Sequence, residues 1–176
     1  AEPDQAEPGD HVGPPGTRRA KLLSALGRHR TGLVVCLLFL LLAGWVSGGL
    51  WPDPTTRILA LNPEDQVLYE WFLAMDSRVL HGDFSLLSDR LNAPDGVNLL
   101  ANTTVIVLGT LFAPVTAVFG APVTFALIAT ANLAGTAIAW YALYRRVLNA
   151  RPLAAGIGAG FCGFAPGMIS QSNSHL

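Results

Sequence analysis

Charge is scarce in this chain. Only 13% of its 176 residues are Asp, Glu, Lys or Arg, against about 25% in a soluble domain. With 51% hydrophobic residues and a positive mean hydropathy, that shortage excludes an ordinary soluble domain and points to a membrane protein. Cysteine is nearly absent. Cys36 and Cys162 both fall inside apolar runs, which excludes a disulfide framework and a cysteine zinc site and leaves thiols packing as small hydrophobes. Also missing are a phosphate-cradling Gly-rich loop followed by Lys, an H-E-x-x-H pair and a nucleophile elbow. Soluble nucleotide chemistry therefore has no support here, and nucleic acid is not an expected partner.

The charge that is present is segregated. Arg18, Arg19, Lys21, Arg28 and Arg30 precede the first apolar run, whereas Asp53, Glu64, Asp65, Glu70, Asp76, Asp83, Asp89 and Asp95 follow it, against Arg57, Arg78 and Arg90. By the positive-inside rule the N-terminus is cytoplasmic and the acidic loop lies outside. Residues 1–30 read as a disordered, basic-ended cytoplasmic tail: 1–17 is rich in Pro, Gly and acid with too little apolar surface to fold, and Arg18 to Arg30 could form a short headgroup-level helix, with a bare topology signal as the preferred reading. Residues 31–176 read as the N-terminal part of a multi-span membrane domain. The chain starts without Met and stops soon after an apolar run, so a longer parent protein is expected.

Four apolar runs predict four spans. Gly32 to Leu50 is 19 residues without a charge, flanked by Trp45 and Trp51 at the outer interface. A signal peptide with the twin-arginine-like Thr17-Arg18-Arg19 is the alternative, opposed by the length of the run and the lack of an A-x-A site. Gly96 to Tyr144 has no charged or histidine side chain over 49 residues, too long for one span, and Gly120-Ala121-Pro122 divides it. The expected spans are about 32–50, 103–119, 122–144 and 152–169, with an outer loop over 51–102. If all four cross, the Arg145 to Arg151 connector lies outside, against the positive-inside rule; if 103–119 is re-entrant, it lies inside. Full crossing is the reading adopted from sequence. The expected fold class is an all-α polytopic helix bundle whose first outer loop holds a short amphipathic helix.

That helix is signalled by Asn62-Pro63-Glu64-Asp65, with Asn62 at the N-cap, Pro63 first in the helix and Asp65 at the third position. Asp65, Leu68, Tyr69, Phe72 and Met75 or Asp76 then recur at helical spacing, which predicts an amphipathic helix on the outer membrane surface, ended by Gly82. Asp65 is the leading catalytic candidate, because a carboxylate at the membrane surface can serve as a general base towards an acceptor hydroxyl or as a metal ligand. Helix capping is the bland alternative. Glu64 and Glu70 are neighbouring candidates, and Gln66 shares a face with Glu70. His81 with Asp83 offers a weakly specific ligand pair. Asp95, Asn98 and Asn102 place polar groups at the mouth of the second span, with capping and solvation as the plainer account.

Taken with the order of spans, Pro63-Glu64-Asp65-Gln66, Trp71-Phe72-Leu73-Ala74, His81-Gly82, Leu91-Asn92-Ala93-Pro94-Asp95-Gly96-Val97-Asn98-Leu99 and Asn102-Thr103 resemble the actinobacterial integral-membrane glycosyltransferases of the GT-C fold. Gln171-Ser172 with His175-Leu176 resembles the start of such a protein's next loop. The resemblance covers about Leu33 to Leu176. It implies transfer of a sugar from a polyprenyl-phosphate carrier to an acceptor on the outer face, with Asp65 helping to activate the acceptor hydroxyl and Glu64, Glu70, His81, Asp95, Asn98 and Asn102 around the substrates. Many relatives carry a tighter acidic pair, so a divalent metal stays an open expectation. The rival class is a non-enzymatic transporter or flippase-like component. Such a protein would place ionisable groups at mid-membrane, and the four runs contain none.

Overall fold

The computed structural model describes residues 16–101 and 105–172, with side chains from residue 30 onward. The chain is mostly helical (70%). Helix α1 (Gly16–Val46) is continuous, where the sequence predicts a disordered tail to residue 30 followed by a span over 32–50, so the disorder expectation fails for 16–30. No proline interrupts this stretch, so the helix runs through Arg30. It stops at Val46, four residues early, as the Ser47 and Gly48 amides bond back to the Ala43 and Trp45 carbonyls and the chain turns towards Pro52 and Pro54. Its apolar portion, Arg30–Val46, is shorter than the usual crossing helix of about 20 residues.

Helix α2 (Pro63–Asp76) matches the expected element, with Asn62 at the N-cap and Pro63 opening it. Its buried face, Gln66, Tyr69, Phe72, Leu73 and Met75, packs on protein, against α3, α4 and α5. A 3-10 turn (Ser77–His81) carries it on to Gly82, whose φ of +77° supplies the left-handed stop. The loop beyond contains a short antiparallel ladder of β1 (Leu87–Ser88) and β2 (Val97–Asn98), closed by a cis Ala93-Pro94 bond.

The expected second span is not a continuous helix among the described residues. Residues 106–119 form two short helices, α3 (Ile106–Leu111) and α4 (Ala113–Phe119), that meet at Phe112 ahead of Pro114. Neither is long enough to cross a bilayer, and both pack against α2. Helix α5 (Ala121–Arg146) agrees with the third run and is the one unbroken helix among the described residues long and apolar enough to cross a membrane. Helices α6 (Pro152–Phe164) and α7 (Pro166–Ser172) occupy the fourth run with a 44° bend at Ala165, imposed ahead of Pro166.

Three apolar clusters hold these pieces together. One joins α2 to the first half of α5 through Tyr69, Phe72, Leu73, Phe125 and Ile128, a second joins α1, α5 and α6 through Phe39, Ala137, Tyr141, Ala155 and Ala159, and a third joins α1 to α5 through Ala43, Leu133 and Ala134. The start of α6 lies beside the middle of α1, where Pro152 and Leu153 share a cavity with Thr31 and Val35. Ser172 at the end of α7 faces Ser47 and Leu50 just past the end of α1. The bent pair α6 and α7 therefore runs beside the second half of α1. Leu33, Leu37, Leu41 and Trp45 on α1, and Leu153, Ile157 and Phe161 on α6, form exposed apolar stripes, the kind of surface that a partner or a membrane covers.

Candidate functional site

The acidic residues of α2 stand on a helix anchored to α5 through Tyr69, Phe72 and Leu73. At its first turn the Asn62 side chain does not cap the backbone; instead its Nδ2 donates to Asp65 Oδ2 at 2.6 Å. Asp65 is half-buried and Glu64 is exposed. Burial, followed by the nearby Asp65 carboxylate, pushes the Tyr69 phenol above its ordinary pKa, as expected for residues one turn apart on one helix face.

Gln66 is the residue that organises this face, and sequence reasoning gave it no role beyond sharing a face with Glu70. Only 3% exposed, it accepts from the Leu59 amide at 2.7 Å, and its Nε2 lies 3.3 Å from the Arg57 carbonyl and 2.7 Å from Glu70 Oε1. One side chain thus ties the extended segment 57–59 to α2 and fixes the Glu70 carboxylate. Burial raises the Glu70 pKa, with the Gln66 hydrogen bond acting in the opposite direction. Gln66→Leu leaves the Leu59 amide and Arg57 carbonyl without this partner and costs about 2–4 kcal/mol locally. The expected result is at least tenfold faster tryptic cleavage after Arg57; an unchanged rate would remove Gln66 as the latch.

Asp76, at the end of the same helix, is the least comfortable carboxyl. Its Oδ2 is buried without a hydrogen-bond partner, and the side chain lies so close to Gly109 of α3 that a Cβ there would overlap the carboxylate. It borders a small cavity of about 80 Å³ with Arg78, Asp83 and Thr110. Desolvation raises its pKa, partly offset by Arg78. A carboxyl raised in the folded state binds its proton more tightly there than in the unfolded chain, so stability falls as pH climbs from the ordinary aspartate range through the raised value. Glu70 contributes in the same sense. Asp76→Asn should flatten part of this decline in the unfolding midpoint and raise the midpoint at neutral pH; a pH profile parallel to wild type would refute the burial account.

The remaining candidates do not gather around Asp65. His81 is exposed, and Asp83 forms an ion pair with Arg78 at 2.9 Å, which accounts for Asp83 without a metal. Asp95 is exposed in the turn before Gly96. Asn98 sits in β2, where its Oδ1 accepts the Leu100 amide at 3.0 Å. Asn102 lies outside the described residues. No three His, Cys, Asp or Glu side chains among the described residues cluster as a metal ion would require. Cys36 and Cys162 are free thiols, as expected.

At the end of α1 a polar cluster fastens the loop to α5. Ser47 Oγ and Thr130 Oγ1 lie 2.7 Å apart, and Trp51 Nε1 donates to both at 3.2 Å. Comparison with known protein families, curated proteins and solved structures finds no match for this chain.

Proposed function

We propose that the chain is the N-terminal part of a polytopic membrane glycosyltransferase that moves a sugar from a polyprenyl-phosphate carrier to an acceptor hydroxyl on the outer face. The observation that supports this reading is the pair of fixed carboxylates on α2, Asp65 held by Asn62 and Glu70 held by Gln66, on a helix docked over the first half of the apolar α5. In this reading α1 crosses outward, α3 and α4 form a re-entrant pair, α5 crosses inward, and α6 with α7 forms a broken outward span. That topology puts Arg145, Arg146 and Arg151 in the cytoplasm with the N-terminal basic residues, satisfying the positive-inside rule, which four full crossings would violate.

Asp65 takes the proton of the acceptor hydroxyl as its oxygen bonds to the sugar's anomeric carbon; the bond from that carbon to the phosphate oxygen breaks, and polyprenyl phosphate leaves. Tyr69, beside Asp65, and Glu70, fixed by Gln66, position the acceptor. The test is transfer of labelled sugar from polyprenyl-phosphate donors in membranes carrying the full-length protein, with wild type against Asp65→Asn. Transfer by wild type alone supports the reading, and equal transfer by both overturns the role of Asp65.

A further inference from the structure

A cavity of about 370 Å³ opens between the end of α1, the segment 57–60, the middle of α5 and the end of α7. Its volume lies within the range of about 300–1,000 Å³ common to small-molecule sites. The walls are aliphatic, from Val46, Leu50, Leu59 and Leu133, and the rim carries the Arg57 guanidinium. Arg57 is exposed, and Nη1 is fixed by the Gly49 carbonyl at 3.1 Å. The ion pair found among the described residues is Arg78 with Asp83, so Arg57 has no carboxylate partner there, and its remaining donors suit an anion. Ser47, which also lines the cavity, accepts from Trp51; an indole so placed belongs at headgroup level.

Neither Asp65 nor Glu70 lines this cavity. A molecule seated there is therefore not presented to the candidate base. Its apolar body would lie between helices, its anion would meet Arg57, and the segment it contacts is the one that Gln66 latches to α2.

We propose that the cavity holds one chain of an anionic membrane phospholipid whose phosphate rests on Arg57, and that this lipid braces segment 57–60 against α2. The inference goes beyond the transferase reading and needs only a membrane location. The test is native mass spectrometry of the full-length protein in detergent, offered phosphatidylglycerol, phosphatidylcholine, a polyprenyl phosphate or inorganic phosphate. Wild type should retain one phosphatidylglycerol per chain roughly tenfold better than phosphatidylcholine, whose choline cation offsets the phosphate charge that Arg57 meets. Arg57→Gln should abolish that preference. Gly49→Leu, which adds a side chain at the rim where a Cβ meets nothing within 4 Å, should weaken both lipids. Both positions are exposed, so the fold is expected to tolerate the changes. Equal retention of the two phospholipids, or a preference that survives Arg57→Gln, overturns the proposal. Displacement of phosphatidylglycerol by polyprenyl phosphate would reassign the site to the carrier, and displacement by inorganic phosphate alone would reassign it to a free anion; either result overturns the phospholipid. Sugar transfer is not read, so failure here is distinct from failure of the transferase reading.

Discussion

Membranes carrying the Asp65→Asn protein should transfer sugar roughly 10²–10⁴-fold more slowly than wild type, the usual weight of a positioned general base. Asn keeps the shape of the side chain and can still accept the Asn62 amide that now meets Asp65 Oδ2 at 2.6 Å, so the first turn of α2 stays in place. What is lost is an anion able to take the acceptor's proton. Removing an interaction made only in the transition state lowers kcat and kcat/KM together and leaves acceptor KM nearly unchanged. A rise in KM alone would instead make Asp65 a binding group. Glu70→Gln offers the internal control. It keeps a hydrogen-bonding partner for Gln66 and should cost less, because Glu70 positions and does not accept the proton. Full activity in Asp65→Asn together with loss in Glu70→Gln would move the base further along α2, to the carboxyl whose pKa burial has raised.

The parts of this architecture that depend on local chemistry were readable. Asn62-Pro63 marks the start of α2, Gly82 supplies its left-handed stop, and an uncharged run between Gly120 and Arg145 yields α5 to within two residues. A single proline at 114 does not say whether a run kinks and crosses or folds back, and the two halves 106–111 and 113–119 take their places through tertiary packing on α2. Gln66 was invisible for a different reason. A glutamine on a helix beside glutamates looks like a solvated face, and only the approach of residues 57–59, seven to nine positions earlier, turns it into a buried latch. Asp76 left a trace, since it falls on the apolar repeat of α2 as the alternative to Met75. A carboxylate on an inward stripe signals a perturbed group; its orphaned oxygen against Gly109 is the tertiary fact behind that signal. Arg57 looked like one loop charge among several until the cavity beneath it was visible.

Gly163→Leu should separate α5 from α6 and cost more than the ~1–3 kcal/mol of ordinary overpacking. A Cβ on Gly163 would lie 2.5 Å from the Ala137 Cβ, 2.8 Å from its Cα and 2.9 Å from its N. Two of those three atoms are backbone of the neighbouring helix, so no rotamer change relieves the clash and the helix axes must part. Ala155, Ala159 and Gly163 stand four residues apart on α6, all buried, in the small-residue spacing by which helices approach closely where lipid provides no hydrophobic drive between them. Parting at Gly163 therefore strips contacts along the whole seam, including those of Ala137 and Tyr141. Cys162, next in the chain and 3.2 Å from the Tyr144 hydroxyl, provides the readout. In a Cys36→Ser background, maleimide labelling of Cys162 during heating should begin several degrees lower in Gly163→Leu than in its parent. Gly135→Leu supplies the control, since a Cβ at Gly135 of α5 meets nothing within 4 Å and replacing glycine in a helix interior gains helix propensity. If Gly163→Leu and Gly135→Leu melt alike, the close seam between α5 and α6 is not what holds this half of the molecule together.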